Sequence, residues 1–369
     1  HRDLHSFPTR RSSDLAAALC LKNSWLPSDL VNTKKIKLLQ TALIEAGNYI
    51  PQINIPATEN LLAKATVKAS SELILSEIPF EQGIWKNLTQ SAAQMLPVKT
   101  GKFPVVTIRA RGLQVTELVA ELRVSSKFYN HTPDITLTST KITLVKGEQD
   151  VEIDFDEEIA EDSYAFVCFM KNPEVDLLFS SHRITGILSV FNKVVPAVSN
   201  FGKQIVTEDI GIEEFEFWCP ERRPEGHNIA MKISPAITAF GAENLLTTIY
   251  RPVNRPNAWV AAIDDDKARI EVKWDEPVTI NEITLFSDTD FDHPMESVQW
   301  GHFDNKMPFC VDQIIVYDDQ MNVIGNATDN HQTKIIFRLG KSITTREIIF
   351  EISNSTENTA VALFGINVK

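Results

Sequence analysis

Hydrophobic and polar positions change rhythm once along this chain. Ile36, Leu39, Leu43 and Ile44 recur at i, i+3, i+7 and i+8, which lays one apolar stripe along a helix, and Gly47 is a natural stop. Upstream, AAALCLK from Ala16 suits another helix, and Pro27, Ser28 and Asp29 supply a break whose side chains can cap the next helix. Beyond about Lys64 the helical period gives way to short β-rich runs separated by polar turns. The candidate strands are 67–70, 103–110, 117–125, 136–144, 150–155, 164–170, 184–191, 215–218, 269–274, 282–286, 313–317, 334–339, 346–351 and 360–368. Many short strands at such spacing predict sandwiches, whereas two short helices need a partner for their apolar faces.

The sharpest strand pattern lies in GEQDVEIDFDEEIAED. Val151, Ile153 and Phe155 alternate with Asp150, Glu152, Asp154 and Asp156, so one face is apolar and the other acidic. Nine acids fall between Glu148 and Asp162, and period-two alternation explains them as a solvated strand face and an acidic turn without a metal. Further on, Tyr164 precedes the apolar run AFVCFM in the manner of a tyrosine corner.

Length and charge narrow the function classes. The 369 residues suit two or three domains, and 43% hydrophobic with 23% charged residues is a globular composition. A net charge of −13 opposes the phosphate backbone that a nucleic-acid binder must neutralise, so no nucleic-acid partner is expected. No apolar run approaches the roughly 18 residues of a membrane-spanning helix, so no membrane insertion is expected. Cys20, Cys168, Cys219 and Cys310 lie far apart, with neither zinc-ligand nor disulfide-framework spacing, and read as small core residues.

Catalytic motifs are missing from the sequence. No two of the 14 glycines lie within eight positions of each other, which excludes G-x-G-x-x-G, a P-loop and a G-x-S-x-G elbow. There is no H-E-x-x-H among the eight histidines. The densest polar group is DTDFDHPME, in which Asp288, Asp290 and Asp292 alternate on one side of an extended segment; a cation, a hydrogen-bond network or solvent must offset their repulsion. The segment begins like an EF-hand loop, but His293 stands where that loop needs Gly and Gln299 where it needs Glu, which leaves an irregular calcium site against hydrogen-bonded loop acids. For a saccharide, Trp300, Trp259, Arg251 and Asn257 are the candidates, because sugar faces stack on aromatic rings and hydroxyls take fixed polar partners. Trp259 also fits a core position, and Trp300, beside Gly301 and His302, fits an exposed one.

Three resemblances add to this reading. Residues 5–15, HSFPTRRSSDL, match no structural period and resemble a conceptual translation of a sequencing adapter. Asn244-Leu245-Leu246, Arg251-Pro252, Asn257-Ala258-Trp259, ARIEVKWDEPVTINEITLFSDTD and TAVALFGINVK, in that order, resemble a discoidin-like (factor 5/8 C-type, galactose-binding-like) sandwich over about 211–369. That resemblance implies that Trp259 packs beneath the sheet and that the last strand closes the sandwich.

Across the chain, AAALCLKNSWLPSDLVNTKKIKLLQTALIEAGNYIPQI, ATVKASSELIL, ITGILSVFNK, FSDTDFDHPMES and PFCV resemble the C-terminal region of bacterial FAD-dependent oxidoreductases. This resemblance implies that residues 16–53 are the last helices of a flavin domain, whose missing N-terminal part is the partner and holds FAD. No residue here matches the Gly-rich pyrophosphate loop, so FAD is not expected to bind this chain.

The expected fold is mainly β: two tandem antiparallel β-sandwiches, Ig-like and then discoidin-like, preceded by a short helical remnant. The expected divisions are 1–15 (adapter-derived), 16–56 (helical), 57–205 and 206–369 (the sandwiches). The expected function is a C-terminal accessory region of an FAD-dependent oxidoreductase, not catalytic alone; the alternatives are a non-catalytic carbohydrate- or surface-binding protein and a structural spacer. By fold analogy alone, such sandwiches suggest the periplasm or secretion.

Overall fold

The computed structural model describes residues 7–46, 48, 50, 53, 60–127, 131–192, 203–205, 214–216, 218–220, 227–288, 309–354 and 356–369. Helix α1 (Phe7–Asn23) starts well before Ala16, so residues 7–15 are helical although they carry no apolar stripe. Pro8 falls in the first turn, where its missing N–H costs nothing, and Leu15, Ala16 and Leu19 supply the packing face. A 3₁₀ turn (Pro27–Val31) leads to α2 (Thr33–Glu45), whose N-cap Asn32 accepts the Lys34 N–H at 3.0 Å. Leu39 and Leu43 of the expected stripe are buried against Cys20 and Leu30, with Ile36 packed beside them. The expected stop, Gly47, lies outside the described residues.

The first sandwich has two six-stranded antiparallel sheets. One runs β16 (Trp218–Pro220), β13 (Ser189–Asn192), β4 (Ala92–Val98), β11 (Ser163–Phe169), β7 (Thr116–Val124) and β8 (Ile135–Leu144). The other runs β2 (Leu75–Ile78), β17 (Met231–Ile237), β6 (Val105–Gly112), β12 (Asn172–Phe179) and β3 (Ile84–Leu88), with β9 (Gly147–Ile153) also paired to β6. Period-two alternation positions the core: Val106, Ile108 and Ala110 point inward to meet Leu118, Ala120 and Leu122. Two small ribbons, β5 (Gly101–Lys102) with β10 (Glu158–Ile159) and β14 (Lys203–Ile205) with β15 (Glu214–Glu216), complete the pairings in this half of the chain.

The second sandwich is organised by one long antiparallel strand pair. β19 (Ala268–Phe286) pairs along its length with β22 (Lys334–Ser353), and register shifts between Lys273 and Val278 and between Ile280 and Glu282 bend the ladder. On the near side of the bend β19 also pairs with β1 (Ala65–Ala69), and on the far side with β24 (Gly365–Val368). β20 (Gln313–Asp318) and β21 (Val323–Ala327) extend the sheet beyond β22, and β18 (Trp259–Val260) pairs with β23 (Ala362–Leu363). Ile270, Val272, Ile283, Leu285, Ile348 and Phe350 fill the core together with Trp259.

The two sandwiches are not consecutive along the chain. β1 lies on β19, about 200 residues downstream, while β17 completes a sheet of the first sandwich through β6 and β2. Residues 60–64 also belong to the second body: Leu62 is 1% exposed in its core, Trp274 Nε1 donates to the Leu61 carbonyl at 2.9 Å, and Asn60 bonds the Ile366 carbonyl and the Val368 N–H. The chain therefore crosses the 205/206 division in both directions. One apolar cluster runs through the seam, joining Ile184, Ile187 and Phe240 to Val260, Phe286, Ala362 and Phe364. Among the described residues, no helix is long and apolar enough to cross a membrane.

Candidate functional site

Three of the polar residues singled out in the sequence, Arg251, Asn257 and Asp288, lie at the seam. Its first-sandwich side is the connection from β12 to β13. There Gly186 takes φ +89°, and a Cβ on it would meet Pro256 Cβ at 2.8 Å, so the close approach of the two bodies requires glycine. The Tyr164 hydroxyl donates to the Gly186 carbonyl at 2.6 Å. Tyr164 is thus a tether of the expected kind, although its acceptor lies 22 residues downstream on the loop that enters β13. Arg183 continues the contact through its backbone: its N–H donates to the Asn358 carbonyl at 2.7 Å, and its carbonyl accepts from Ala360.

The opposing side is the turn 251–257. Asn257 sits at φ +50°, in the left-handed region that Asn tolerates, and is buried. Its Nδ2 donates to the Arg251 carbonyl at 2.9 Å, and its Oδ1 accepts from Arg255 Nε at 2.9 Å. One amide thus closes the turn at both ends and leaves Arg251 and Arg255 exposed, while Pro252, Val253 and Pro256 are buried beneath them. Asn257 acts here as a turn organiser rather than as an exposed ligand donor.

Trp259 is fully buried in the second core, with Nε1 donating to the Ser71 carbonyl at 3.0 Å. Its ring has no open face for a sugar, and it takes the packing role that the discoidin-like resemblance implies. Trp300, Asp290 and Asp292 lie outside the described residues. Asp288 is fully buried, and its Oδ2 accepts from Thr185 Oγ1 at 2.8 Å across the seam. Among the described residues, no group of three or more His, Cys, Asp and Glu side chains is arranged to hold a metal. The acidic strand face pairs with bases instead: Asp150 with Arg109 at 2.7 Å, and Asp154 and Asp156 with Lys102 at 3.3 and 2.9 Å.

His131, which is not among the site residues expected from the sequence, is a titratable group at the seam. Its Nε2 lies 3.2 Å from the Val253 carbonyl, and its ring meets Tyr164 edge-on with centroids 5.4 Å apart. Burial holds its pKa down at about 4; the Val253 carbonyl acts against this and the nearby Arg251 charge adds to it. Burial also pushes the Tyr164 hydroxyl well above its ordinary range. Next to Asp288, the buried Cys310 Sγ lies 3.5 Å from Ser287 Oγ and 3.2 Å from Asn330 Nδ2. A hydroxyl and an amide are poor bases, so these contacts order the chain rather than activate a nucleophile.

No protein-family model matches the sequence, and no curated protein matches it. Solved structures similar to part of the chain include the family 32 carbohydrate-binding module of Streptococcus pneumoniae EndoD, with 12% identity over 36% of this chain and 86% of that one and a TM-score of 0.27. The GH31 CBM32-2 module bound to GalNAc shows 9% identity over 36% of this chain and 88% of its own, with a TM-score of 0.25. The lectin domain of lectinolysin complexed with Lewis B antigen shows 14% identity over 31% and 71%, with a TM-score of 0.22. Each likeness is confined to about a third of the chain, and the two-sandwich architecture stands on the strand pairings themselves.

Proposed function

We propose that this chain is a non-catalytic binding protein that presents the 251–257 turn to a carbohydrate. The observation that carries the reading is the Asn257 clasp, whose buried amide holds the exposed Arg255 guanidinium through Nε and fixes the backbone of the exposed Arg251 through its carbonyl. Guanidinium N–H groups are donors in a planar fork, suited to sugar hydroxyls and, more strongly, to the carboxylate of an acidic sugar. The turn itself, RPVNRPN, carries two cationic donors, and the imidazole beside it, His131, is engaged at the Val253 carbonyl 3.2 Å away, which suits binding. A glycan array tests the proposal. Binding should fall at least tenfold in Arg251→Ala and in Trp300→Ala and persist in Asp154→Ala, a carboxylate paired with Lys102 rather than with either arginine of the turn. Retention of full binding in Arg251→Ala would overturn it.

A second reading makes the chain the C-terminal accessory part of an FAD-dependent oxidoreductase. It is supported by the helical segment, where Leu21, Leu26, Val31 and Leu38 are 84%, 68%, 88% and 54% exposed although aliphatic. FAD itself does not fit the described residues, which offer no glycine-rich turn at a helix N-terminus to cradle its pyrophosphate, so the flavin would be held by an upstream domain. Flavin absorbance in a version of the chain extended upstream, and none in the chain alone, is the expected result. No flavin in either would remove this reading while leaving the carbohydrate proposal intact.

A further inference from the structure

Marginal strands of a sheet expose unpaired N–H and C=O groups, and most of those described here carry a device against pairing. β9 presents Glu148, Asp150 and Glu152, and β16 ends in Pro220. β1 and β3 are five residues long and carry Lys68 and Lys86, and β21 is interrupted by Gly325. β8 differs from all of them. It is ten residues long, reads ITLTSTKITL, and contains no Pro, Gly or acidic residue. It pairs with β7 on one side, and no described strand pairs with the other.

The one charge on β8 is already used. Lys141 Nζ lies 2.9 Å from Glu117 Oε1 on β7, within the same sheet. Ile135 and Leu137 are 42% and 37% exposed, so apolar side chains also stand at this margin. A register shift opposite Leu122 and Arg123 sets Leu137 out of the ladder, leaving Thr138 to Leu144 as a regular stretch whose outer edge pairs with no described strand.

We propose that a second copy of this chain pairs antiparallel with β8, with Thr140 opposite the partner's Thr140. A two-fold axis perpendicular to the sheet keeps each face on its own side, as an isologous contact requires. In this register Thr138 faces the partner's Ile142 and Ser139 faces the partner's Lys141. Hydroxyl, β-branched and apolar groups thus meet, and no like charges are opposed. That self-complementarity identifies the occupant: a strand whose only charge is neutralised at home suits its own copy. Two six-stranded sheets then become one continuous sheet. A seven-residue edge buries less than the roughly 1,200–2,000 Å² of standard interfaces, so the dimer is weak and depends on concentration. At −13 per chain the copies repel, so added salt strengthens the dimer.

Sedimentation velocity on the full chain, across protein concentration at low and high salt, tests the proposal. The mass-average should rise toward twice the monomer, more steeply at high salt. Ser139→Lys opposes the partner's Lys141 and should weaken association about fivefold, whereas Ser139→Glu should tighten it about fivefold, two symmetry-related pairs contributing each time. Because Ser139 is exposed, both variants should keep the parent melting temperature within a few degrees. Thr140→Cys in a Cys219→Ser background should link to its own copy through a short bismaleimide, since Cys219 is exposed and Cys20, Cys168 and Cys310 are buried. A monomer at every concentration, or a dimer indifferent to both Ser139 variants, overturns the pairing.

Discussion

Tyr164 reaches from the start of β11 to the carbonyl of Gly186, 2.6 Å away, and so fixes the loop that carries the first sandwich onto the second. The Tyr164 side chain and Gly186 are both buried, which leaves water little access to the carbonyl once the hydroxyl is removed. Tyr164→Phe keeps the ring against His131 and strands the Gly186 carbonyl, at a cost of about 1–3 kcal/mol. Denaturant unfolding should show a lower midpoint with an unchanged m-value. Gly186→Ala should cost at least as much, because it adds strain at positive φ and a clash with Pro256.

His131 gives the seam a pH dependence of definite sign. Its folded pKa of about 4 lies below the unfolded value near 6.5, so the unfolded chain binds the proton more readily. The stability this neutral histidine contributes is complete above pH 6.5 and drains away as pH falls toward 4, in total on the order of 3 kcal/mol. His131→Phe keeps an aromatic edge on Tyr164 and removes the titration. Urea midpoints measured between pH 7 and 4 should fall less steeply in the variant than in the parent; parallel curves would refute the assignment.

Arg111 and Arg109 are neighbours on the outer face of β6 that differ in environment. Arg111 donates through Nε and Nη2 to Asp176 Oδ2 at 2.9 and 2.6 Å, and Asn87 Nδ2 donates to the other carboxylate oxygen at 2.8 Å. Asp176 is buried, so Asp176→Ala should cost about 1–3 kcal/mol by removing the acceptor that Arg111 and Asn87 share, while Asn87 keeps the Pro173 carbonyl at 2.9 Å and Arg111 keeps Glu148 at 3.8 Å. The Arg109–Asp150 pair is solvent-exposed on both sides, and Asp150→Ala should cost under ~1 kcal/mol. Thermal melts of the two variants, compared at low and high salt, check the contrast.

The strands read most closely in the sequence are those with one wet face, together with β11, whose unbroken apolar run is buried on both faces. β6, β7, β9 and β20 keep period two, and their expected bounds lie within about three residues of the observed ones. β4 is buried on both faces and interrupted by Pro97, so it offers neither alternation nor a clean run, and β12 and β17 are blurred by Pro173 and Pro235. β19 and β22 read as two strands each because Asp275-Glu276-Pro277 and Gly340-Lys341-Ser342 look like turns, whereas they are the polar middle of a bent antiparallel ladder. Pairing across the chain, as between β1 and β19, leaves no local mark, and neither does the burial of His131. Of the site residues, Arg251 and Asn257 converge on one turn because Asn at positive φ can close it, while Trp259 follows the core.

The Asn257 clasp separates backbone from side-chain contributions. Asn257→Gly accepts φ +50° without strain but gives up the bonds to the Arg251 carbonyl and Arg255 Nε. Asn257→Ala loses both bonds and adds the cost of a left-handed alanine, about 1 kcal/mol. Stability should therefore fall in the order parent, Gly, Ala, with the first step about 1–2 kcal/mol because the turn's polar groups lose a buried partner. Any glycan affinity should fall fully at the first step, since binding depends on the Asn257 amide holding the Arg255 guanidinium and the Arg251 carbonyl rather than on the backbone angle. Chemical denaturation and glycan titration of the same two variants check this; affinity that tracks stability through the second step instead would place the ligand away from the turn.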